Sequence, residues 1–510
     1  MNTLTIKLKQ HTPLIHFQHD QDGATLRASE VKPKLDKYIL IQLGAGDYEK
    51  GKAQAKAKGW LVGKGDHPAL DYKMRILDNP DNIIVLNTNE KKRCYNKKDE
   101  EKDIKKGKTI SKVHYGDIID NNIKHNVRFV ILGQDKKEYF GKFRKTDSKI
   151  IYDLDSYPCF FANMDADIKN SDEYRKITYA KDPFGLLITT QNHELYNFLN
   201  DKNKSLLSFF FLENNFGTRQ SKGFGSFYID ESDDLYREPY SRYHFSVPIT
   251  DEYYYEEFFT LFKIIELFTK TLRAGINEKR GIETVFYFKS LAFMYCKDIL
   301  NAEWDKKKVK TEFYFGDTVR RKDSLSKQRD KYPNDCDHDI LFFDSSDGYD
   351  IRDLLGFSTN EEWLSYKDSI EKKVALQRGK TTVYPRREDV LPVDRMRSPL
   401  LIKPICKVDD NDNDNVNYTI HLLFQDKEVG MEMFKLQKEI CFFSKREKDE
   451  RGFSRRFMIK LPQTFSLYDY FDYIFGRLRF DISTHVEDKY QEHEYYGILE
   501  DIYSQLKECQ

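Results

Sequence analysis

The sequence predicts an α+β chain of two similar units with long insertions, and three observations carry that prediction. Alternating apolar stretches and runs of helical spacing follow one another along the chain. The order strand, helix, strands, helix, glycine loop, strand occupies the first half. A strand followed by a long apolar helical stripe opens the second. At 510 residues the chain exceeds one ordinary core, since domains run to roughly 100–200 residues. Hydrophobic content of 39% and charged content of 33% imply polar excursions, but 14% aromatics mark a folded chain, because disorder is depleted in aromatics.

The elements follow in order. Leu4, Ile6 and Leu8 alternate with Thr5, Lys7 and Lys9, a half-buried strand ended near Pro13. Thr25 or Ser29 is then expected to cap a short helix through Leu35, Ile39 and Leu40, with Pro33 in its first turn. Leu70, Tyr72, Met74 and Ile76 alternate again. The charge-rich run from Lys91 to Lys108 has no apolar period and reads as a mobile insertion. Leu186-Leu187-Ile188 reads as a buried strand, His193 to Leu199 and Leu206 to Leu212 as helices, and Gly225 to Ile229 as a strand. This is the βαββαβ order of a ferredoxin-like, RRM-like unit, giving an N-terminal domain over 1–235 with an insertion near 85–150.

The second unit, over 236–510, repeats the scheme. His244 to Ile249 is a strand, and Phe258, Leu261, Phe262, Ile265, Phe268 and Leu272 make one apolar helical stripe, read as core. Leu400-Leu401-Ile402 and Tyr418 to Phe424 are strands flanking the acidic turn Asp409 to Asn415. Tyr468 to Leu478 and Tyr495 to Leu506 are the last helices. Periodicity is weak near 300–395, which is read as an irregular insertion.

The sharpest chemical feature is Gly217-Thr218-Arg219-Gln220-Ser221-Lys222-Gly223-Phe224-Gly225. Its glycines allow positive φ and close approach of a polyanion, its exposed N–H groups suit an anion nest, and Arg219 and Lys222 add charge. It is neither a Walker loop, since no Ser or Thr follows the lysine, nor a dinucleotide loop, since the strand follows it. Phe216 and Phe224 either stack bases or, more simply, pack against the domain edge. Lysines 50, 52, 56, 58 and 64 around Trp60 form a second basic patch, either a path for an RNA backbone or a solvated helix face.

Phe216 to Phe227 resembles the glycine-rich signature of the RAMP superfamily of CRISPR-associated proteins. His11-Thr12-Pro13-Leu14 with Leu26-Arg27-Ala28-Ser29-Glu30-Val31-Lys32 resembles that family's first strand, loop and basic helix start. Arg395-Met396-Arg397-Ser398-Pro399-Leu400-Leu401-Ile402, preceded by Leu354-Leu355-Gly356-Phe357, resembles a stretch of the first subunit of the Cmr (type III-B) complex. The resemblance implies a non-catalytic, RNA-binding subunit of a type III effector in antiviral defence, with two ferredoxin-like domains. Its partners would be guide or target RNA and other effector subunits. The chain departs from the pattern in its length, in the 91–108 run, and at Lys34, where glycine is usual after the proline. The RNA-binding residues expected are Arg27, Lys32, Gly217, Arg219, Lys222, Gly223, Gly225, Arg395 and Arg397, each pair of basic residues at a loop or element end, where phosphate is reached without burial.

Two other readings stand beside this one. His11, His16 and His19 share one loop, so a metal-independent endoribonuclease processing guide precursors would use His16 and His19 as base and acid. A protein–protein adaptor would use the aromatic surface. Asp335 to Asp339, after Pro333-Asn334, reads as a polar loop rather than a cation site. No metal or cofactor is expected: the seven cysteines contain no Cys-x-x-Cys, which argues against zinc and against a secreted disulfide framework. The first residues lack the apolar region of a signal peptide, and no apolar run of about 18 residues is present, so a cytoplasmic protein without a membrane span is expected. Net charge is zero, so nucleic-acid binding must rest on local basic faces.

Overall fold

The computed structural model describes residues 1–16, 25–63, 68–77, 82–86, 93–94, 128–132, 138–146, 149–155, 177–250, 254–281, 283–314, 348–363, 368–374, 376–378, 381–383, 395–408, 416–425, 439–448, 454–462 and 465–509. His19, Lys64, the runs Asp335 to Asp339 and Asp409 to Asn415, and most of Lys91 to Lys108 lie outside them; of the last, Arg93–Cys94 pairs with Asp153 and Tyr152. Side chains within the four-stranded antiparallel sheet 93–94, 149–155, 138–146 and 128–132 are likewise outside. The chain is mixed α and β, and divides into two compact units: Met1–Ile265 with Ile402–Leu423, and Glu266–Leu401 with Phe424–Gln510. Among the described residues no helix is long and apolar enough to cross a membrane.

In the first unit the alternation of Leu4, Ile6 and Leu8 does what it predicts. Strand Asn2–Gln10 turns these three inward and pairs antiparallel with Phe184–Thr190 on one side and Phe227–Ile229 on the other. Lys73–Leu77 completes the sheet beyond Phe184–Thr190, so the order is 227–229, 2–10, 184–190, 73–77, antiparallel throughout. Strand Phe184–Thr190 is not buried on both faces as its apolar run suggested. Phe184, Leu186 and Ile188 are buried and Leu187 is only half-buried. Helix Ala28–Leu43 packs Val31, Leu35, Ile39 and Leu40 onto the sheet, and helix Leu206–Leu212 adds Phe210 and Phe211.

The expected cap of the first long helix is corrected. Arg27, not Thr25 or Ser29, is the N-cap, with no side-chain cap bond, and Pro33 sits inside a 16-residue helix rather than in its first turn. Pro33 lacks the N–H for one i→i−4 bond; the buried Val31–Leu40 stripe outweighs that loss.

A three-stranded sheet in the order 243–249, 416–424, 400–408 follows in the chain. Helix Tyr254–Arg273 buries Phe258, Leu261, Phe262, Ile265, Phe268 and Leu272, so the apolar stripe is core as expected. Phe224 stacks on Phe262 at 4.1 Å.

The second unit holds a six-stranded sheet in the order 303–304, 348–349, 454–460, 439–448, 368–374, 360–363. Its core joins Ile370, Val374, Ile440, Phe442 and Ile459 to Leu354 and Phe357. Beside that core lies a buried charge cluster. Arg352 contacts Asp305 and, through both guanidinium Nη atoms, Glu361, while Lys372 Nζ reaches Asp353 at 2.6 Å and Glu361 at 3.1 Å. The helix expected from Tyr468 is α-helical over Leu467–Asp472 and continues as a π-helical turn, Tyr473–Arg477; Glu494–Glu508 is the C-terminal helix.

Candidate nucleic-acid interface

The glycine loop leaves helix Leu206–Leu212 and returns into strand Phe227–Ile229, with Asn215 and Ser226 paired at its neck. Gly217, Gly223 and Gly225 take φ of 74°, 90° and 64°, and Arg219 takes 59°. Positive φ is therefore used as expected, but for a different reason. A Cβ on Gly217 would stand 2.5 Å from the Ile15 carbonyl oxygen, and one on Gly225 2.0 Å from that of Phe216. Protein backbone, not a polyanion, fills the space that glycine leaves.

Several of the amides expected in an open nest are taken by protein acceptors. Gly217 donates to Glu30 Oε1 at 2.5 Å, Thr218 to the Ile15 carbonyl at 2.9 Å, and Gly225 to the Pro13 carbonyl at 2.8 Å. Lys222 and Gly223 donate within the loop, to Arg219 and Gln220 carbonyls, and Ser226 donates to Thr12 Oγ1. Buried backbone donors take protein acceptors wherever these are present.

Of the side chains expected to carry charge there, Arg219 and Lys222 are both half-buried. Lys222 also pairs in parallel with Ile402, which brings the glycine loop against strand Leu400–Val408, the end of the Ser398-Pro399-Leu400 stretch. Phe216 and Phe224 are fully buried, so they pack and do not stack bases.

The loop is held from below by residues outside it. Lys34 Nζ donates to the Asn215 carbonyl at 2.9 Å and to Gln220 Oε1 at 2.8 Å. The position that departs from the family pattern is thus a loop anchor. Lys403, fully buried, donates to the carbonyls of Asn214 (3.0 Å) and Phe227 (2.8 Å) and to Asn215 Oδ1 (3.2 Å). Burial, and then Lys34, push its amine well below the usual lysine range. Burial raises the Glu30 carboxyl against the opposing effects of the Gly217 amide and Lys34. Lys34 was named from the sequence only as a departure from the family pattern, and neither Lys403 nor Thr12 was singled out as a site residue. Only Lys403 carried a signal, as a lone charge within Leu400-Leu401-Ile402-Lys403-Pro404-Ile405.

The other expected residues separate. Arg27 is the half-buried N-cap of helix Ala28–Leu43. Lys32 is not at an element end: inside that helix it binds Asp36 at 2.8 Å and the Leu70 carbonyl at 3.0 Å, over the Tyr72 ring at 3.9 Å. Its ammonium is engaged by the fold. Arg395 and Arg397 belong to the second unit, where Arg395-Met396 pairs with Phe357-Ser358; the two resembling segments meet there, and Arg397 is exposed. Of the second basic patch, Lys50, Lys52 and Lys56 lie on helix Tyr48–Ala57, and Lys58 lies over the Trp60 ring.

His11 and His16 turn inward. His11 Nδ1 accepts the Cys406 amide at 3.0 Å, and burial, then Lys9 and Lys403, hold its pKa well below the usual value. His16 is 4% exposed with Nε2 3.9 Å from Glu30 Oε2; burial and then Arg27 lower its pKa. Among the described residues no group of three or more His, Cys, Asp or Glu is placed to hold a metal ion.

No curated protein matches the chain. Among solved structures, a chain in the cryo-EM structure of the type III-B Cmr-beta complex bound to cognate target RNA and AMPPnP in the presence of ssDNA is similar at 13% identity. That match covers 84% of this chain and 96% of the other, with a TM-score of 0.26. The family description "Cmr1 N-terminal domain" matches residues 1–138 and 135–276, and "Cmr1 C-terminal domain" matches residues 287–503. With nearly the whole chain accounted for by these two descriptions, this protein belongs to the Cmr1 family.

Proposed function

We propose that this chain is an RNA-binding, non-catalytic subunit of a type III CRISPR effector complex, contacting the backbone of guide or target RNA and docking on other effector subunits. The observation that carries the reading is the rigid glycine loop with Arg219 and Lys222 on it. Its shape is set by protein hydrogen bonds before any ligand arrives, so little ordering entropy is lost on binding, and two cations can each meet a phosphate. Membership of the Cmr1 family supports the effector role. The inward-facing His16 favours this reading over nuclease chemistry, because a general base must reach the proton it removes.

Two ferredoxin-like domains, one over 1–235 and one over 236–510, belong to the same proposal. Strand order 227–229, 2–10, 184–190, 73–77 is the fourth, first, third and second strand of a βαββαβ unit, which supports the first. The order 243–249, 416–424, 400–408 is first, third and second, which supports the other. Single-stranded RNA binding by the purified chain tests the functional reading. Arg219→Ala with Lys222→Ala weakens it if the reading holds; unchanged affinity makes the loop purely structural.

A further inference from the structure

Lys403 stands in a strand whose neighbours Leu401, Ile402, Pro404 and Ile405 are all buried. An apolar side chain of similar length would pack there without the cost of removing an ammonium from water. Its Nζ lies within hydrogen-bond distance of three oxygens, and all three are neutral: the carbonyls of Asn214 and Phe227 and the amide oxygen of Asn215. Among the described residues no carboxylate lies within ion-pair distance of it, and a second cation, Lys34, opposes its protonation. Asn214 and Asn215 lead into the glycine loop and Phe227 leaves it, so one buried lysine joins both ends. Lys34 joins Asn215 to Gln220 in the loop itself.

We propose that Lys403, with Lys34, is a positioning residue for RNA: its buried side-chain nitrogen clamps the two ends of the glycine loop, so that the cations on the loop are held in place for a phosphodiester backbone. The proposal rests on the RNA-binding reading above. The clamp holds Arg219 and Lys222 where two phosphates meet them, so their effect depends on it.

A double-mutant cycle tests this dependence. Affinity for a single-stranded RNA is measured for the full chain, for Arg219→Ala/Lys222→Ala, for Lys403→Met, and for all three together, with circular dichroism melts on each. Lys403→Met is expected to weaken binding about tenfold, and in its background the loop pair costs less than about twofold more. Wild-type affinity in Lys403→Met, or losses that multiply, overturns the clamp while leaving the RNA reading intact. If Arg219→Ala/Lys222→Ala alone binds like wild type, the RNA reading fails and the clamp with it. Should Lys403→Met not fold, the same cycle is run with Lys34→Met, which removes the donors to Asn215 and Gln220, and the same outcomes decide.

Discussion

Thr12 Oγ1 donates to the Gly223 carbonyl at 2.6 Å and accepts the Ser226 amide at 2.9 Å, joining the end of the first strand to the far side of the glycine loop. Thr12 is fully buried. Thr12→Val keeps the shape and removes both bonds, leaving an amide and a carbonyl unsatisfied. Urea unfolding is expected to show a loss of about 1–3 kcal/mol; a loss below about 0.5 kcal/mol would mean that water replaces the hydroxyl.

Gly225→Ala tests the crowding argument. The new methyl would lie 2.0 Å from the Phe216 carbonyl oxygen at a φ of 64°, whereas one at Gly59, at φ 69°, meets nothing within 4 Å. The second substitution should cost about 1 kcal/mol for left-handed backbone alone, and the first about 3 kcal/mol or more. Equal melting temperatures for the two variants would contradict the packing described for the loop.

In the second unit, Lys372→Met should cost about 3–5 kcal/mol, because Asp353, 1% exposed, is left with a buried charge that Lys372 had neutralised. Asp353→Asn added to it should recover part of that loss. Additive losses would show that the pair is not coupled.

His485 gives a pH-dependent prediction. Its Nε2 donates to the Lys289 carbonyl at 2.8 Å, its ring packs on Phe288 and Phe480, and burial pushes its pKa down to about 4 from 6.5. Below pH 6.5 the unfolded chain takes up a proton that the folded chain refuses. Stability from this group is therefore complete above pH 6.5 and is lost as pH falls towards about 4. His485→Gln should flatten the acid limb of a stability–pH curve in that window by up to roughly 1.4 kcal/mol per pH unit; an identical limb would place the histidine in water.

How much of this was legible depends on which face carried the apolar residues. The first strand and the helix Tyr254–Arg273 were readable because period and burial coincide: Leu4, Ile6 and Leu8 in one, Phe258 to Leu272 in the other. Strand Asp368–Val374 was not, since its buried face alternates Asp368, Ile370, Lys372 and Val374, and two charges hide the pattern. Pro33 misplaced the helix start because tertiary packing overrode a local preference. The glycine loop was found by its residues, yet its internal bonding was invisible, because Glu30, Thr12 and Lys403 reach it from 187, 211 and, to Asn215, 188 residues away in sequence. Burial of Lys403 follows from long-range pairing that no local spacing encodes.

The most direct test of the central claim is the salt dependence of single-stranded RNA binding. Each phosphate neutralised contributes about 0.7 to the slope of log affinity against log salt. If Arg219 and Lys222 each meet one phosphate, replacing both with alanine weakens binding and lowers the magnitude of that slope by about 1.4. An unchanged affinity with an unchanged slope would contradict the account.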